Sequence, residues 1–132
     1  MFLNSLNTEQ KTLFIELAIK AAESNGVVEL EEKNMLKCFA IEMGMAPVYY
    51  TDRDVKSIID DIREISAAKE LKIILFEILG IMVSDTVFDD KEKVFVKYIV
   101  KKWNIDPSLV DKMVGLLVDY AKIYQNIVET VL

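Results

Sequence analysis

The chain contains no histidine among its 132 residues. Histidine is the commonest general base in enzymes, and it activates the nucleophile in most serine and cysteine hydrolases. It is also a ligand in most catalytic zinc sites and in the Glu-x-x-His motif of di-iron helical bundles. No glycine-rich phosphate-binding loop is present either. These two absences predict a protein that is not an enzyme.

Cysteine and long apolar runs are also scarce. The only cysteine, Cys38, excludes an intramolecular disulfide and is typical of the reducing cytoplasm. The most apolar segment, residues 71–85, is too short to span a bilayer and carries Glu77 in its middle. The first residues lack the charged start and apolar run of a signal peptide. We therefore expect a cytoplasmic protein without membrane insertion, in which residues 71–85 form a central buried helix.

Positive charge is in deficit, because 16 basic residues stand against 22 acidic ones and give a net charge of −6. An acidic surface repels nucleic acid and anionic membranes, so neither is an expected partner. One exception is a row of lysines at helical i, i+4 spacing, formed by Lys93, Lys97 and Lys101. We interpret this row as the solvated outer face of a helix.

The residues that are present favour an all-α fold. Only two prolines and four glycines interrupt the chain, and nearly every segment repeats its apolar residues with the 3.6-residue period of a helix. We predict one domain over residues 1–132, with helices at about 8–24, 30–43, 52–65, 67–84, 90–103 and 107–132. The predicted N-caps of five of these helices are Asn7, Thr51, Ser66, Asp89 and Asp106.

A repeat is visible in this pattern. The segment "SNGVVELEE" at 24–32 has a counterpart, "SDTVFDDKE", at 84–92. A shift of sixty residues aligns 13–45 with 73–105 without a gap, and the apolar positions match better than the identities. We predict a helical bundle of two pseudo-symmetric helix–corner–helix repeats, at about 8–45 and 68–105, followed by a long C-terminal helix.

Each corner ends in a glutamate, Glu32 or Glu92, that lies at the centre of the apolar side of the following helix. One interpretation is structural. With Glu29 or Asp89 as the N-cap, each glutamate is the third helical residue and can accept a hydrogen bond from the cap's backbone N–H. The positive end of the helix dipole also favours a carboxylate there.

The alternative interpretation is a calcium site. Gly26, Val28 and Glu32 have the spacing of positions 6, 8 and 12 of an EF-hand loop. In the first copy, position 1 falls on Ala21 and the other ligand positions fall on Glu23 and Asn25. The second copy has Ile81 and Val83 at positions 1 and 3, and Thr86 at position 6. Neither copy is thus a standard EF-hand, and a weak calcium site remains the alternative to a structural corner.

The first corner reads Ala-Ala-x-x-Asn-Gly-x-Val-x-x-x-Glu over residues 21–32. Repeated in an acidic helical chain of this length, it resembles the corner of the tellurite-resistance TerB-like family. The resemblance covers about residues 8–105, and the fold is also similar to the amino-terminal domain of a membrane-bound DnaJ-like co-chaperone. It implies an all-helical protein of two pseudo-symmetric halves, with a stress-associated or scaffolding role and no catalysis.

In that family the acidic corner is associated with binding of divalent cations. The resemblance carries this role to Asn25 and Glu32 in the first copy and to Asp85 and Glu92 in the second. The chain departs from the family pattern in each copy, since Asn25 replaces an aspartate and Thr86 replaces a glycine. With the caps included, the candidate metal ligands are Asn25, Glu29, Glu32, Asp85, Asp89 and Glu92. No other cofactor is expected.

The last helix has more apolar positions than one core contact needs. Its predicted core stripe consists of Val110, Met113, Leu117, Tyr120, Ala121, Tyr124, Val128 and Val131. Leu116, Ile123 and Ile127 widen this stripe on one side. Either both repeats enclose the helix, or its additional face binds another chain.

A pair of tyrosines, Tyr49 and Tyr50, lies in a predicted loop. The two side chains either pack on the third helix or form an exposed contact, since tyrosine is common in interfaces. We expect an unidentified protein partner, with a homodimer through the C-terminal helix as the specific prediction. The candidate interface residues are Tyr49, Tyr50, Leu116, Ile123 and Ile127.

Overall fold

The computed structural model describes residues 1–25, 30–83 and 89–132, without the side chain of Asn25. The described part is all-helical, contains no strand and confirms the predicted fold class. Its helices are α1 (Thr8–Ala22), α2 (Leu30–Met43), α3 (Val55–Ile65), α4 (Ala68–Val83), α5 (Asp90–Lys102) and α6 (Pro107–Val131). Two short 3₁₀ helices, Leu3–Ser5 and Glu23–Asn25, precede and follow α1.

None of the helices in these ranges combines the length and the apolar character that crossing a membrane requires.

Three predicted helix starts are confirmed. Asn7 and Gln10 form a capping box at α1, in which the Asn7 side chain accepts from the Gln10 N–H and the Gln10 side chain accepts from the Asn7 N–H. Asp89 caps α5 in the same way. Asp106 caps α6, and Pro107 occupies its first turn, where a missing N–H has no consequence. These local motifs supply partners for N–H groups that a helix leaves unpaired.

The predicted cap of α3 is wrong. Asp54 caps this helix instead, since its side chain accepts from the Ser57 N–H. Thr51 is buried, and its hydroxyl donates to Glu16 of α1 at 3.0 Å. Thr51 therefore joins the loop to α1 instead of starting a helix.

The predicted cap of α4 is also wrong. This helix begins at Ala68, and the Glu70 carboxylate accepts from the Ala67 N–H at 3.0 Å. The hydroxyl of Ser66 accepts from the Gln10 side chain at 3.1 Å. Ser66 thus connects the start of α4 to the start of α1.

The core lies between α1 and α4, which pack on each other. Helices α2 and α3 pack on α1, α5 packs on α3, and α6 packs on α4. The predicted central position of α4 is confirmed, because half of its 16 residues are buried and it packs on both α1 and α6. Trp103 connects α5 to α3, and its indole N–H donates to the Ile59 carbonyl at 3.0 Å. Among the largest fully buried side chains are Phe14, Leu17, Ile19, Leu36, Ile58, Ile62, Ile74, Leu75, Ile78 and Leu79.

The carboxylate of Glu77 on α4 is buried, yet it has partners. One oxygen accepts from the Met1 nitrogen at 2.8 Å and from the Phe2 N–H at 3.2 Å. Glu42 of α2 accepts from the Leu3 N–H at 3.1 Å. Since a buried polar group is costly without hydrogen bonds, these contacts explain how α4 tolerates a charge in its apolar run. They also attach residues 1–3 to α2 and α4.

The bounds of the helices follow the predicted shift of sixty. Helices α1 and α4 begin at Thr8 and Ala68, and α2 and α5 begin at Leu30 and Asp90. The equivalent residues Gln10 and Glu70 contact each other, with 3.5 Å between Nε2 and Oε1. Contact between equivalent residues is typical near a twofold axis. A twofold relation between the two halves stays a prediction.

Candidate functional site

A row of large apolar side chains lies exposed along α6 from Leu116 onward. More than half of the surface of each is accessible to solvent. The positions recur at intervals of three and four residues, so they share one side of the helix. We call this surface the α6 face and define it as Leu116, Tyr120, Ile123, Tyr124, Ile127 and Val131.

The α6 face arises because α6 is longer than the helix on which it packs. Helix α4 has 16 residues and α6 has 25, a difference that corresponds to about 13 Å at 1.5 Å per residue. The first half of α6 contacts the core through Met113, which is buried, and through Leu117, which is half-buried. Farther along, from Tyr120 to Val131, the apolar side chains are exposed except for Val128, which is half-buried.

This arrangement corrects the predicted core stripe of α6. Tyr120, Ala121, Tyr124 and Val131 are exposed and not buried. Within the described part of the chain, Met113 is the only buried residue of α6, so the two repeats do not enclose this helix. The apolar period was visible in the sequence, but the point where α6 leaves α4 was not. The first predicted alternative, enclosure by both repeats, is therefore wrong, and binding of another chain by the additional face stays a prediction.

The predicted interface residues on α6 all belong to the α6 face, since Leu116, Ile123 and Ile127 are exposed. Tyr49 and Tyr50 lie in the loop between α2 and α3. Tyr50 is 73% exposed and Tyr49 is 40% exposed. Tyr50 is therefore free to contact a partner, whereas Tyr49 is partly covered. That these five residues form an interface stays a prediction.

At the second corner, the predicted capping box of Asp89 and Glu92 is confirmed. One Asp89 carboxylate oxygen accepts from the Glu92 N–H at 2.8 Å, and one Glu92 oxygen accepts from the Asp89 N–H at 3.2 Å. Glu92 is buried, with 6% of its surface exposed, whereas Asp89 is exposed. This reciprocal pair is the capping box that the sequence predicts.

The other candidate metal ligands are only partly described. Glu32 is half-buried in the first turn of α2, and the backbone of Asn25 ends the 3₁₀ helix that follows α1. Glu29 and Asp85 lie outside the described residues. Over 1–25, 30–83 and 89–132, no group of three or more acidic or cysteine side chains is arranged to hold a metal ion. Calcium binding at the corners stays a prediction.

A groove of about 740 Å³ lies between α5 and the start of α6. Its apolar lining consists of Val96, Val100, Ile105, Val110 and Val114. The lysines of the predicted solvated row form one side, and Asn104, Pro107 and Asp111 complete the lining. The sequence predicted the exposure of the lysines but not the groove, because a groove needs α5 and α6 to meet. We call it the lysine groove.

Comparison with protein-family models found no match, and comparisons with curated proteins and with solved structures found no significant similarity.

Proposed function

We propose that the protein is a non-enzymatic interaction domain, and that the α6 face binds the same face of a second copy of the chain. The observation that carries the proposal is the exposure of six large apolar side chains along one side of α6. A contiguous apolar patch of several hundred Å² on a folded protein usually marks a contact site.

The area of the α6 face is sufficient for a homodimer. Full burial of a large apolar side chain stabilises by about 1.5–3 kcal/mol at roughly 25 cal/mol per Å², which corresponds to on the order of 100 Å² per side chain. Four aliphatic side chains of about 100 Å² and two tyrosines of about 200 Å², each a little more than half exposed, therefore offer on the order of 450 Å² per chain. Two copies bury about 900 Å² together, which is in the range of weak, transient interfaces.

The chemistry of α6 also suits pairing with itself. The α6 face carries no charge, and Tyr120 and Tyr124 combine a large apolar ring with a hydroxyl that can stay at the rim. The charges of α6 alternate in sign along the helix, so two antiparallel copies do not bring a run of like charges together. These charged residues are Asp111, Lys112, Asp119, Lys122 and Glu129. A closed twofold dimer is the commonest symmetric assembly.

The resemblance of the corners to TerB-like proteins supports the same class of function. It implies a stress-associated or scaffolding role in the cytoplasm, with tellurite resistance as the process for which the family is named. The absence of histidine from the sequence also supports a role without catalysis. In this proposal, the bundle is a rigid scaffold and α6 presents the contact surface.

Sedimentation velocity of the parent and of two α6 variants tests the proposal. We expect the parent to sediment as a dimer and the Ile123→Lys variant as a folded monomer, because lysine places a charge in the apolar interface. Asn126→Lys is the matched control: it adds the same charge to an exposed position outside the α6 face, and we expect it to remain dimeric. Far-ultraviolet circular dichroism checks that each variant is folded.

Three results contradict the proposal. A parent that sediments as a monomer at every concentration means that no second copy binds the α6 face. An Ile123→Lys variant that loses its helical spectrum means that this side chain contributes to the fold of its own chain. A control that dissociates as readily as Ile123→Lys means that charge alone, and not the face, governs assembly.

A further inference from the structure

The lysine groove is a second surface that the α6 face does not explain. Its base is apolar, with Val96 and Val100 of α5 buried at the bottom, and Val110 and Val114 of α6 half-buried on the opposite side. The groove is open to solvent along its length, and none of its lining residues belongs to the α6 face. An occupant can therefore reach it whether or not α6 pairs with another copy.

From this geometry we propose that the lysine groove binds an acidic amphipathic helix of a partner protein. Grooves between two helices are common docking sites for a third helix, which inserts its apolar side and keeps its polar side in water. The five apolar side chains of the groove supply the surface for such an apolar side. The lysines supply the charges that flank this apolar surface.

Lys93, Lys97 and Lys101 are exposed, and in the described part of the chain none of them forms a salt bridge. Three positive charges thus stand side by side on a protein with a net charge of −6. This concentration of positive charge beside an apolar surface favours an acidic occupant, because complementary charges select the partner and accelerate association.

The spacing of the lysines favours a helix over a small molecule. Four residues of a helix rise about 6 Å, so the three lysines are spaced about 6 Å apart over about 12 Å. Glutamates at i, i+4 and i+8 of a helix lying alongside α5 have the same spacing. A single carboxylate or phosphate group can pair with only part of this row.

The shape and charge of the protein disfavour a membrane as the occupant. A bilayer surface is broad, whereas the apolar side chains of the lysine groove lie recessed between two helices. The net charge of −6 also repels anionic lipids around the groove.

Asp111 lies in the groove lining together with the lysines and provides a site for one basic residue of the partner helix.

A pair of designed peptides tests the proposal by fluorescence anisotropy at low ionic strength. The first is a fluorescein-labelled helix of about five turns, with a leucine stripe at i, i+3, i+4 and i+7 and glutamates at i, i+4 and i+8 beside it. The second carries lysine at the glutamate positions. We expect the acidic peptide to bind the parent, with an affinity that falls as salt is added, and the basic peptide not to bind.

Charge reversal then locates the site. The double variant Lys97→Glu, Lys101→Glu should lose about tenfold in affinity, since it removes two ion pairs and introduces repulsion. Lys33→Glu, Lys37→Glu is the matched control, because these lysines are exposed, have the same i, i+4 spacing on α2 and lie outside the groove. We expect this control to bind the acidic peptide as the parent does.

The alternatives give different results. Absence of binding by the acidic peptide overturns the proposal, and so does equal loss of affinity in the groove and control variants. Sedimentation with phosphatidylcholine–phosphatidylglycerol vesicles tests a membrane occupant, and association that requires Lys97 and Lys101 without peptide binding also overturns the proposal. Peptide binding that disappears in Ile123→Lys assigns the peptide to the α6 face instead. If the acidic peptide still binds the Ile123→Lys variant, peptide binding at the lysine groove does not depend on self-association through the α6 face.

Discussion

At the second corner of the bundle, the side chains of Asp89 and Glu92 determine how helix α5 starts. Each carboxylate supplies one oxygen to a backbone N–H of the other residue, so the pair satisfies two N–H groups at the start of α5. Glu92 is buried, and its position at the positive end of the helix favours its negative charge. The capping function therefore accounts for these two acidic residues on structural grounds, and substitutions can separate it from metal binding.

We expect Asp89→Ala to lower the free energy of unfolding by about 0.5–2 kcal/mol, because an alanine at the N-cap cannot accept a hydrogen bond from the Glu92 N–H. Asp89→Asn should stay close to the parent, since asparagine caps helices about as well as aspartate. Urea denaturation in metal-free buffer measures both. Equal stability of the alanine variant and the parent contradicts the capping function.

Calcium added to the same variants separates the two interpretations of the corner. If capping is the only function, calcium should leave all three unfolding curves unchanged. A calcium site at the second corner predicts that the ion stabilises the parent, by about 2.7 kcal/mol at a hundredfold excess over its Kd. Asp89→Asn should then lose most of this effect, because one ligand charge is missing.

The titration of Asp106 makes the start of α6 sensitive to acid. Hydrogen bonds from the backbone N–H and the side chain of Ser108 hold the pKa of this carboxyl below its usual value of 3.8. A lowered pKa in the folded state means that the carboxylate adds stability above pH 3.8, and that this contribution is lost as the pH falls through the folded pKa.

We therefore expect Asp106→Asn to remove part of the acid dependence of stability. Asparagine caps the helix but does not titrate in this range. Urea unfolding from about pH 5 to about pH 2 should show the parent losing stability more steeply than the variant, until the two curves run parallel at the acid end. Curves that are parallel throughout contradict a role for the Asp106 charge.

At the scale of helices, the sequence predicted the elements well because their signals are local. An apolar period together with an N-cap motif within four residues is enough to place α1, α5 and α6. Thr51 and Ser66 misled the prediction because their side chains have distant partners. Thr51 bonds a residue 35 positions away, and Ser66 bonds one 56 positions away. No local pattern contains such contacts.

The contacts of Gln10 on α1 with the end of α3 and with Ser66 are further distant interactions, and an isosteric substitution tests them. The Gln10 Nε2 donates to the Ile65 carbonyl at 3.3 Å and to the Ser66 hydroxyl at 3.1 Å, while Oε1 serves the capping box. Gln10→Glu keeps the capping oxygen but replaces this donor with an acceptor. We expect a loss of about 1–3 kcal/mol in urea denaturation at neutral pH, because Gln10 is buried and the new charge faces a carbonyl.

A second substitution, Glu70→Gln, provides the control for this prediction. It returns an N–H donor to the contact, since the new amide on α4 can donate to the carboxylate that Gln10→Glu places on α1. The double variant should therefore recover part of the lost stability. In the single variant, protonation of the introduced carboxyl in acid should recover part of it as well. Independent, additive effects of the two substitutions mean that the two side chains do not interact across the helices.

At the scale of the whole molecule, the length of α6 relative to the bundle decides which surfaces are exposed. The sequence indicated too many apolar positions for one core contact, and the structure assigns the excess to the second half of the helix. Tyr120 and Ile123 are about equally exposed, although only Tyr120 was predicted to be in the core. Helical periodicity shows which side of a helix is apolar, but it does not show where the neighbouring helix ends.

If the α6 face joins two copies, thermal stability must depend on protein concentration. Dimerisation of the folded state stabilises it by mass action, so the Tm of the parent should rise as the concentration increases. Ile127→Lys should have a Tm that does not change with concentration and equals the dilute limit of the parent, because Ile127 is exposed in its own chain. Asn126→Lys should follow the parent at every concentration. Scanning calorimetry over a wide range of concentrations measures all three. A parent Tm that is constant over this range contradicts self-association, and an Ile127→Lys variant that melts below the dilute limit shows that this side chain stabilises its own bundle.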